Sequence, residues 1–373
     1  MKAGIWASVV WAGAAGMAMA DVPNVATDIP PVHSLAARVM AGVGTPDLVV
    51  RPGASPHGYA LRVSEAKALD RANLVFFVSD GLTPWLEEMV EPLATKAKVI
   101  ELQTIPNTLT FPFRESAVFA PHGDDKHEGH DHGDHKHEGH DHGDDKHEGH
   151  DHGDDKHEGH DHGDDKHEGR DHGDNKHEGH DKHAEGGDGH DGHDHHGHDH
   201  SGADPHSWLD PANGKVWMAA MAEELAKLDP DNADAYRKNA KDGIAEIDAA
   251  IAKATEILAP VKDAKFVTFH DAYQYYERRF GLRNIGSISM SDARKPGPGR
   301  VKEIRDAVRA QGVACVFSEP QFNAGLVNTV FEGSSAKTGL LDPLGVELEQ
   351  GAALYPALVV ALAQEMATCM SPE

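Results

Sequence analysis

The sequence predicts an α/β protein of two lobes, each a parallel sheet of about four strands with flanking helices, joined by one long helix. Short apolar runs alternate with helical patterns on both sides of the chain's middle, which is typical of parallel βαβ units. The runs are uniformly apolar, as in strands covered on both faces of a sheet. A long His/Asp/Gly-rich segment interrupts the first lobe and is predicted to be a disordered insertion.

The chain begins with a predicted signal peptide over residues 1–20. Lys2 provides the positive start, residues 5–17 form an apolar run, and Ala18-Met19-Ala20 has the small-residue pattern of a cleavage site. The run is short for a membrane-spanning helix, for which about 20 apolar residues are needed. We therefore expect cleavage after Ala20 and an exported, periplasmic protein.

The N-terminal lobe is expected over residues 21–121 and is completed by residues 201–230. Its strands are expected at 22–27, 48–51, 74–78 and 99–102, and its helices at 32–41, 65–71, 84–93 and about 212–227. Ser64 is expected to cap the second of these helices. The loop after the second strand carries His57.

A linking helix is expected over residues 231–259, followed by a C-terminal lobe over residues 260–373. The linking helix repeats apolar residues at helical spacing and would be close to 40 Å long at ~1.5 Å per residue. Strands of the C-terminal lobe are expected at 266–269, 284–288 and 313–317, with a further short strand that ends at 340–341. Helices are expected at 272–280, 301–310, 326–331 and 354–369.

Residues 122–200, called the His-rich tract below, repeat the ten-residue unit His-Gly-Asp-Asp-Lys-His-Glu-Gly-His-Asp. The tract holds all but four of the 29 histidines, and its 27 acidic residues against 8 Lys and Arg supply −19 of the formal charge of −27. It contains no Val, Ile, Leu, Met or aromatic residue, so it cannot offset the entropy of ordering by burial.

This composition predicts a disordered collector of exchangeable metal ions, with a solvated acidic linker as the alternative. The candidate ligands of the tract are His122, His127, His130, His132, His137, His140, His195, His196, His198 and His200.

Outside the tract, the charge and the cysteine content indicate which partners and bonds to expect. The remaining sequence is only mildly acidic and has no basic stripe, which argues against a nucleic-acid partner. Its only two cysteines, Cys315 and Cys369, are predicted to form a disulfide that holds the last helix to the C-terminal lobe. Two buried free thiols are the alternative.

The four histidines outside the tract are His33, His57, His206 and His270. The last three follow predicted strands, where open α/β sheets bind their ligands, and Asp342 follows a later strand in the same way. Three imidazoles and a carboxylate suit tetrahedral Zn²⁺. The separations are too wide for a local motif, so tertiary structure would have to assemble the site. His33, at a helix start, is predicted to be structural.

No enzyme is expected. His127-Glu-Gly-His130 has Asp131 where a zincin motif needs its second histidine, and its Gly-rich surroundings cannot hold a helix. Lys337-Thr338 lacks the glycines of a phosphate loop. Glu319 is the one further carboxylate that leaves a strand toward the same predicted cleft.

Four ordered motifs carry a resemblance to the zinc-binding components of ABC uptake systems, within the cluster A-I substrate-binding proteins. They are Pro56-His57-Gly-Tyr-Ala-Leu-Arg-Val-Ser64, Asp204-Pro-His206-Ser-Trp-Leu-Asp210-Pro, Thr268-Phe-His270-Asp-Ala-Tyr-Gln-Tyr-Tyr276 and Leu341-Asp342-Pro-Leu-Gly345. The resemblance implies two lobes on a rigid helix, one metal in the cleft held by His57, His206 and His270, and docking to a membrane permease. A monomer is expected.

Two departures from the family pattern leave alternatives open. Pro56 stands where some relatives have a glutamate that can serve as fourth ligand, so that ligand is Asp342 or water. The tract is also unusually long and regular, so a periplasmic zinc buffer acting mainly through the tract is a second hypothesis. A Mn²⁺-binding relative is a third, although such relatives tend to carry a carboxylate where His270 stands.

Overall fold

Two parallel sheets organise the described part of the chain. The first contains β1 (Val25–Thr27), β2 (Asp47–Leu48), β3 (Leu74–Phe77) and β4 (Lys98–Glu101) in the order β2-β1-β3-β4. Each neighbouring pair is parallel. Every residue of the two central strands, β1 and β3, is buried, because helices cover both faces of the sheet. This sheet is the core of the N-terminal lobe.

The second sheet repeats this arrangement in the C-terminal lobe. It contains β5 (Lys265–His270), β6 (Arg283–Ser289), β7 (Cys315–Ser318) and β8 (Lys337–Leu340) in the order β6-β5-β7-β8, again with all pairs parallel. In both sheets the strand order reverses beside the first strand. Open α/β sheets bind ligands outside the carboxyl ends of their strands at such a switch point. The predicted fold class is confirmed.

Eight helices flank the sheets within the described residues. They are α1 (Pro30–Val39), α2 (Val63–Arg71), α3 (Pro84–Leu93), α4 (Pro211–Leu228), α5 (Ala233–Leu258), α6 (Gln274–Phe280), α7 (Pro298–Gln311) and α8 (Leu354–Met370). Four of them begin with proline, whose missing N–H is not needed in the first turn. At the other end, Gly281 closes α6 in the left-handed conformation with φ of 65°.

Helix α5 matches the predicted linking helix and packs against α1, α4 and α8. Its 26 residues give a length of about 39 Å. Small residues on its buried face, including Ala240, Gly243, Ala250 and Ala254, let the neighbouring helices approach closely. A Cβ on Gly243 would collide with the Met218 side chain. The helix begins at Ala233 and not at residue 231, because residues Pro230–Asn232 form a 3-10 turn.

One local prediction was wrong. Ser64 does not cap α2: the helix starts at Val63, and the Glu65 carboxylate accepts a hydrogen bond from the Arg62 backbone N–H at 2.7 Å. Strand β8 spans Lys337–Leu340 and ends within one residue of the short strand expected to end at residues 340–341. Its residues alternate between partly buried and exposed because β8 is an edge strand, so the sequence shows no apolar run.

The predicted disulfide between Cys315 of β7 and Cys369 of α8 is confirmed, with Cα atoms 5.8 Å apart. It holds the last helix against the second sheet.

The structure is a computed structural model that describes residues 22–114, 116–119, 202–289, 296–320, 331 and 333–372. These residues belong to one compact unit, Met1–Gly123 with Gly197–Glu373. The predicted signal peptide, the His-rich tract and most of the helix predicted at 326–331 lie outside the described residues. In the described ranges, no helix has the length and apolar character needed to cross a membrane. The predicted domain boundaries stay predictions.

Candidate metal site

Three histidines from distant parts of the sequence meet where the two sheets' carboxyl ends face each other. His57 follows β2, His206 precedes α4, and His270 ends β5. One ring nitrogen from each lies within 4.8 Å of the others. His206 and His270 are buried, and His57 is half-buried. Among the described residues, this is the group of His, Cys, Asp and Glu side chains that could hold a metal ion.

The orientation of His206 is set by Asp204, two residues earlier. One Asp204 carboxylate oxygen accepts a hydrogen bond from the His206 backbone N–H at 3.0 Å and lies 2.8 Å from the ring Nδ1. A carboxylate at Nδ1 fixes the neutral ring with its proton on Nδ1, which leaves Nε2 as a lone-pair donor. Burial raises the pKa of Asp204 to about 7, against the opposing effects of the His206 N–H and the Arg114 charge.

His270 is oriented in the same way from the C-terminal lobe. Its Nδ1 lies 2.6 Å from Glu319 Oε1, and Glu319 directly follows β7, the strand beside β5. Both side chains are buried. Two of the three histidines therefore present Nε2 to the site and bind a carboxylate with Nδ1, the arrangement that fixes metal-binding imidazoles in proteins.

The spacing of the two Nε2 atoms fits a tetrahedral metal. They lie 3.2 Å apart. A tetrahedral Zn²⁺ with Zn–N bonds of about 2.0–2.1 Å separates its ligand nitrogens by about 3.3 Å. The two nitrogens are therefore spaced as two ligands of one tetrahedral ion would be.

His57 lies on a loop that is held in place by contacts with Trp85. Trp85, in the first turn of α3, donates its indole N–H to the Pro56 carbonyl at 2.6 Å. Tyr59 packs against the Trp85 ring, with centroids 5.5 Å apart, and donates its hydroxyl to Glu65 at 2.7 Å. The His57 ring lies edge-on to His206 at a centroid distance of 5.5 Å. The loop therefore directs its histidine toward the other two.

The cavity among these residues is small, with a volume of about 20 Å³. A cavity needs about 10–15 Å³ to hold a single water molecule. The cavity therefore has room for one ion or water. Its walls are Pro56, His57, His206, Trp208, His270, Glu319, Pro343 and Leu344.

Asp342 does not join the three histidines in this group. Its two carboxylate oxygens accept hydrogen bonds from the backbone N–H groups of Leu344, at 3.0 Å, and Val346. The carboxylate therefore stabilises its own turn, and the turn supplies two walls of the cavity. Its role as fourth ligand stays a prediction.

His33 lies away from the site. Its Nε2 is 3.1 Å from the Pro46 carbonyl oxygen, and burial lowers its pKa. A half-buried imidazole bonded to a backbone carbonyl fits the structural role expected of it.

A larger groove, of about 820 Å³, opens elsewhere on the surface of the molecule. It lies beside Phe111, Asp210, Lys265, Arg279 and Arg283, and contains none of the three histidines. Its size alone would make it the default ligand site. Within the part of the chain that the structure describes, three histidine nitrogens converge at the smaller cavity, which is therefore the candidate metal site.

Sequence reasoning missed two residues that position the site. The sequence motif around His206 includes Asp204, but no role was predicted for that residue. An aspartate two residues before a candidate ligand histidine could have indicated that it orients the ring. Trp85 gave no signal, because its bond to the Pro56 carbonyl depends on how α3 packs against the loop. Glu319 was singled out for its position, and its contact with His270 gives it an orienting role.

Known proteins resemble this chain over nearly its whole length. The family profile described as "Zinc-uptake complex component A periplasmic" matches residues 25–369. A protein of Brucella suis biovar 1 (strain 1330), named high-affinity zinc uptake system protein ZnuA, is 40% identical over 366 residues, covering 98% of this chain and 97% of that protein. A protein of the same name from Paracoccus denitrificans (strain Pd 1222) is 38% identical over 371 residues, covering 98% of each.

Solved structures share the fold. A crystal structure of ZnuA superimposes with a TM-score of 0.64 at 19% identity, over 94% of this chain and 100% of that one. A zinc-bound deletion mutant of ZnuA superimposes with a TM-score of 0.63 at 20% identity, over 95% and 100%. The two-lobed architecture is therefore one that solved proteins also adopt.

Proposed function

The chain belongs to the family of periplasmic zinc-uptake complex component A proteins, and we propose that it captures Zn²⁺ between its lobes and delivers it to the permease of an ABC uptake system. The observation that carries the proposal is the convergence of His57, His206 and His270, with the Nε2 atoms of the last two 3.2 Å apart. The curated relatives at 40% and 38% identity are named for high-affinity zinc uptake. The family is one of transport components and not of enzymes.

Zinc is favoured by the chemistry of the ligands. Three imidazole nitrogens suit Zn²⁺, whereas Mn²⁺ and Mg²⁺ prefer oxygen donors. Carboxylates behind two of the rings increase their basicity and hold them in place. The fourth position is filled by water or by Asp342 after its turn rearranges. A three-histidine site with an oxygen ligand remains a zinc site in either case.

Metal binding would connect the two lobes. His57 and His206 belong to the N-terminal lobe, and His270 ends the first strand of the C-terminal sheet. A bound ion therefore adds bonds between lobes that are otherwise joined by α5 and by packing. We infer that the permease recognises the lobe surfaces in this connected state. In this scheme the protein acts as a periplasmic monomer after cleavage of its signal peptide behind Ala20.

The His-rich tract would serve as an auxiliary zinc collector. Its imidazoles are numerous and its carboxylates attract cations, so it can raise the amount of zinc near the protein. Ligands on a flexible chain must be ordered at each binding event, which makes each such site weaker than a site formed by folded lobes. The competing hypothesis is a zinc buffer in which the tract is the main site.

Deletion of residues 122–200 separates these two hypotheses. Zinc affinity and stoichiometry are measured for the full chain and the deletion variant by competition with a chelator. Tight binding of one zinc per deleted chain is expected, with loss of the additional weak sites. A deletion variant without tight binding would favour the buffer. Replacement of His270 with Ala in the same deletion variant should abolish the remaining tight site.

A further inference from the structure

In addition to α5, a second segment of the chain connects the two lobes. Residues 105–114 and 116–119, called the crossing segment below, start against the N-terminal lobe. There the Asn213 side chain of α4 accepts a hydrogen bond from the Leu109 N–H at 2.7 Å and donates one to its carbonyl at 2.9 Å. Trp217, one turn further along α4, donates its indole N–H to the Thr108 hydroxyl at 3.0 Å.

The other end of the crossing segment joins the C-terminal sheet at its edge strand, β6. The Phe119 N–H donates to the Ile285 carbonyl at 2.9 Å, and the Ser287 N–H donates to the Ala117 carbonyl at 3.1 Å. Between these bonds Gly286 permits the close approach, because a Cβ there would collide with the Ala117 carbonyl. The crossing segment is thus fixed to the N-terminal lobe by side chains of α4 and to the C-terminal sheet by backbone bonds.

Arg114 lies between these two ends, and its side chain is only 13% exposed. Its guanidinium donates to both carboxylate oxygens of Asp271 through Nε at 3.0 Å, and through Nη1 to Glu277 at 2.6 Å. The Phe119 ring covers it, 3.7 Å from the guanidinium carbon to the ring centroid. Both carboxylates are buried, so the planar fork of arginine holds them in one geometry.

Arg114 acts on the surroundings of both buried candidate ligands, by contact beside His270 and by its charge beside His206. Asp271 is the residue after His270, so its carboxylate fixes the backbone from which that ring projects. The Arg114 charge also acts on Asp204, whose carboxylate orients His206. Asp204, Asp271 and Glu277 are three buried carboxylates near one another, and without a cation among them they would repel.

Building on the proposed zinc site, we propose that Arg114 is its positioning residue: from the crossing segment, its guanidinium fixes Asp271 beside His270 and balances the charge of Asp204 beside His206. It touches no ligand ring in this role. It keeps the two carboxylate-backed halves of the site, one from each lobe, at the separation that a single ion requires.

The test compares zinc affinity and thermal stability in full-length variants, with affinity measured by chelator competition. Arg114→Gln should lower the affinity of the tight site by roughly 10-fold or more, the effect typical of groups that orient metal ligands. Arg114→Lys, which keeps the charge but not the fork, should recover part of that loss. Asp271→Asn should also lower zinc affinity. The double variant, Arg114→Gln with Asp271→Asn, should bind zinc at least as tightly as whichever single variant has the lower affinity.

Arg279→Gln is the matched control. Arg279 makes a similar two-bond pair with Asp210, at 2.7 Å for each bond, but neither residue adjoins a proposed ligand or its carboxylate. It should lose stability and keep its zinc affinity within about threefold of the unaltered chain, below the effect expected for an orienting group.

Affinity unchanged in Arg114→Gln, or lowered equally in Arg279→Gln, would overturn the proposal. If Arg114→Gln does not fold, the Asp271→Asn variant provides the test instead. Unchanged zinc affinity in Asp271→Asn would also refute the proposal. Failure of the zinc site itself is distinguishable, because the unaltered chain would then show no tight site or would keep it after His206→Ala.

Discussion

The Nε2 atoms of His206 and His270 lie 3.2 Å apart, although the two residues are 64 positions apart in the sequence and come from different lobes. Each ring is backed by a buried carboxylate, Asp204 for His206 and Glu319 for His270. The site is therefore two similar half-sites that face each other, with His57 as the third donor. The following predictions test this arrangement.

Each proposed ligand should be essential for tight zinc binding. Replacement of His57, His206 or His270 with Ala should lower affinity by more than about 100-fold, since loss of a ligand costs more than loss of the group that orients it. His33→Ala should leave affinity unchanged, because that ring is bonded to the Pro46 carbonyl. Chelator competition measures the four affinities, and an equal loss in His33→Ala would contradict the assignment.

Glu319→Gln should weaken zinc binding by roughly 10- to 100-fold. The amide oxygen can still accept the bond from His270 Nδ1, but the negative charge that makes the imidazole a better donor is lost. Exposed Glu349 provides the control, and Glu349→Gln should bind zinc like the unaltered chain. Equal affinities of the Glu319 and Glu349 variants would show that Glu319 does not act on the metal.

Zinc affinity should fall as the pH decreases from 8 to 5, because protons compete with the metal for the imidazole nitrogens. Protonation of Asp204, whose pKa burial raises to about 7, acts in the same direction by weakening the group that orients His206. Isothermal titration calorimetry of the tract-deleted chain at several pH values measures the effect. Constant affinity over this range would contradict a three-histidine site.

Asp28 should make the metal-free protein less stable as the pH rises from 5 to 8. Burial raises its pKa to about 7 from 3.8, so the folded state binds this proton more tightly than the unfolded state. The stabilisation of the folded state by this proton is complete below about pH 4 and is lost as the pH rises through about 7. The loss between pH 5 and 8 is about 2–3 kcal/mol.

Asp28→Asn provides the comparison for this effect. Urea unfolding of both proteins at each pH gives the free energies, and the difference between the two proteins should change by that amount. Parallel pH profiles would show that Asp28 ionises normally in the folded state.

Loss of the disulfide should destabilise the fold and spare the site. Cys315 and Cys369 close a loop with a sequence separation of 54, and their replacement by Ser should lower the free energy of unfolding by about 2–4 kcal/mol. Neither residue lines the metal cavity, so zinc affinity should stay within about threefold of the original, less than loss of an orienting group produces. Calorimetry and chelator competition measure the two quantities.

Buried strands and the long helix could be predicted because their signal is local. Strand β3 is a continuous apolar run, β5 is buried and largely apolar after Lys265, and α5 repeats apolar residues at helical spacing. The start of α2 was mispredicted because a backbone cap leaves a weaker pattern. Buried strands and the long helix are predictable because burial requires apolar residues, and these are visible in the sequence.

The three histidines could be predicted from their positions after strands, since the carboxyl ends of parallel strands meet at one edge. The residues behind them could not all be found in this way. The contacts of Arg114 with Asp271 and Glu277 join positions 157 and 163 residues apart, and those of Trp85 depend on helix packing. No local pattern records such contacts, because they arise only once both lobes have formed.

The small cavity has a consequence for how an ion enters and leaves. A hydrated divalent ion does not fit in about 20 Å³, so it would have to exchange water molecules for imidazoles as it enters. His206 and His270 are buried and held by carboxylates, while His57 is half-buried on a loop. We therefore expect His57 to be the last of the proposed ligands to close on an entering ion and the first to open. The rate at which zinc leaves would then depend on His57, while all three histidines contribute to the strength of binding.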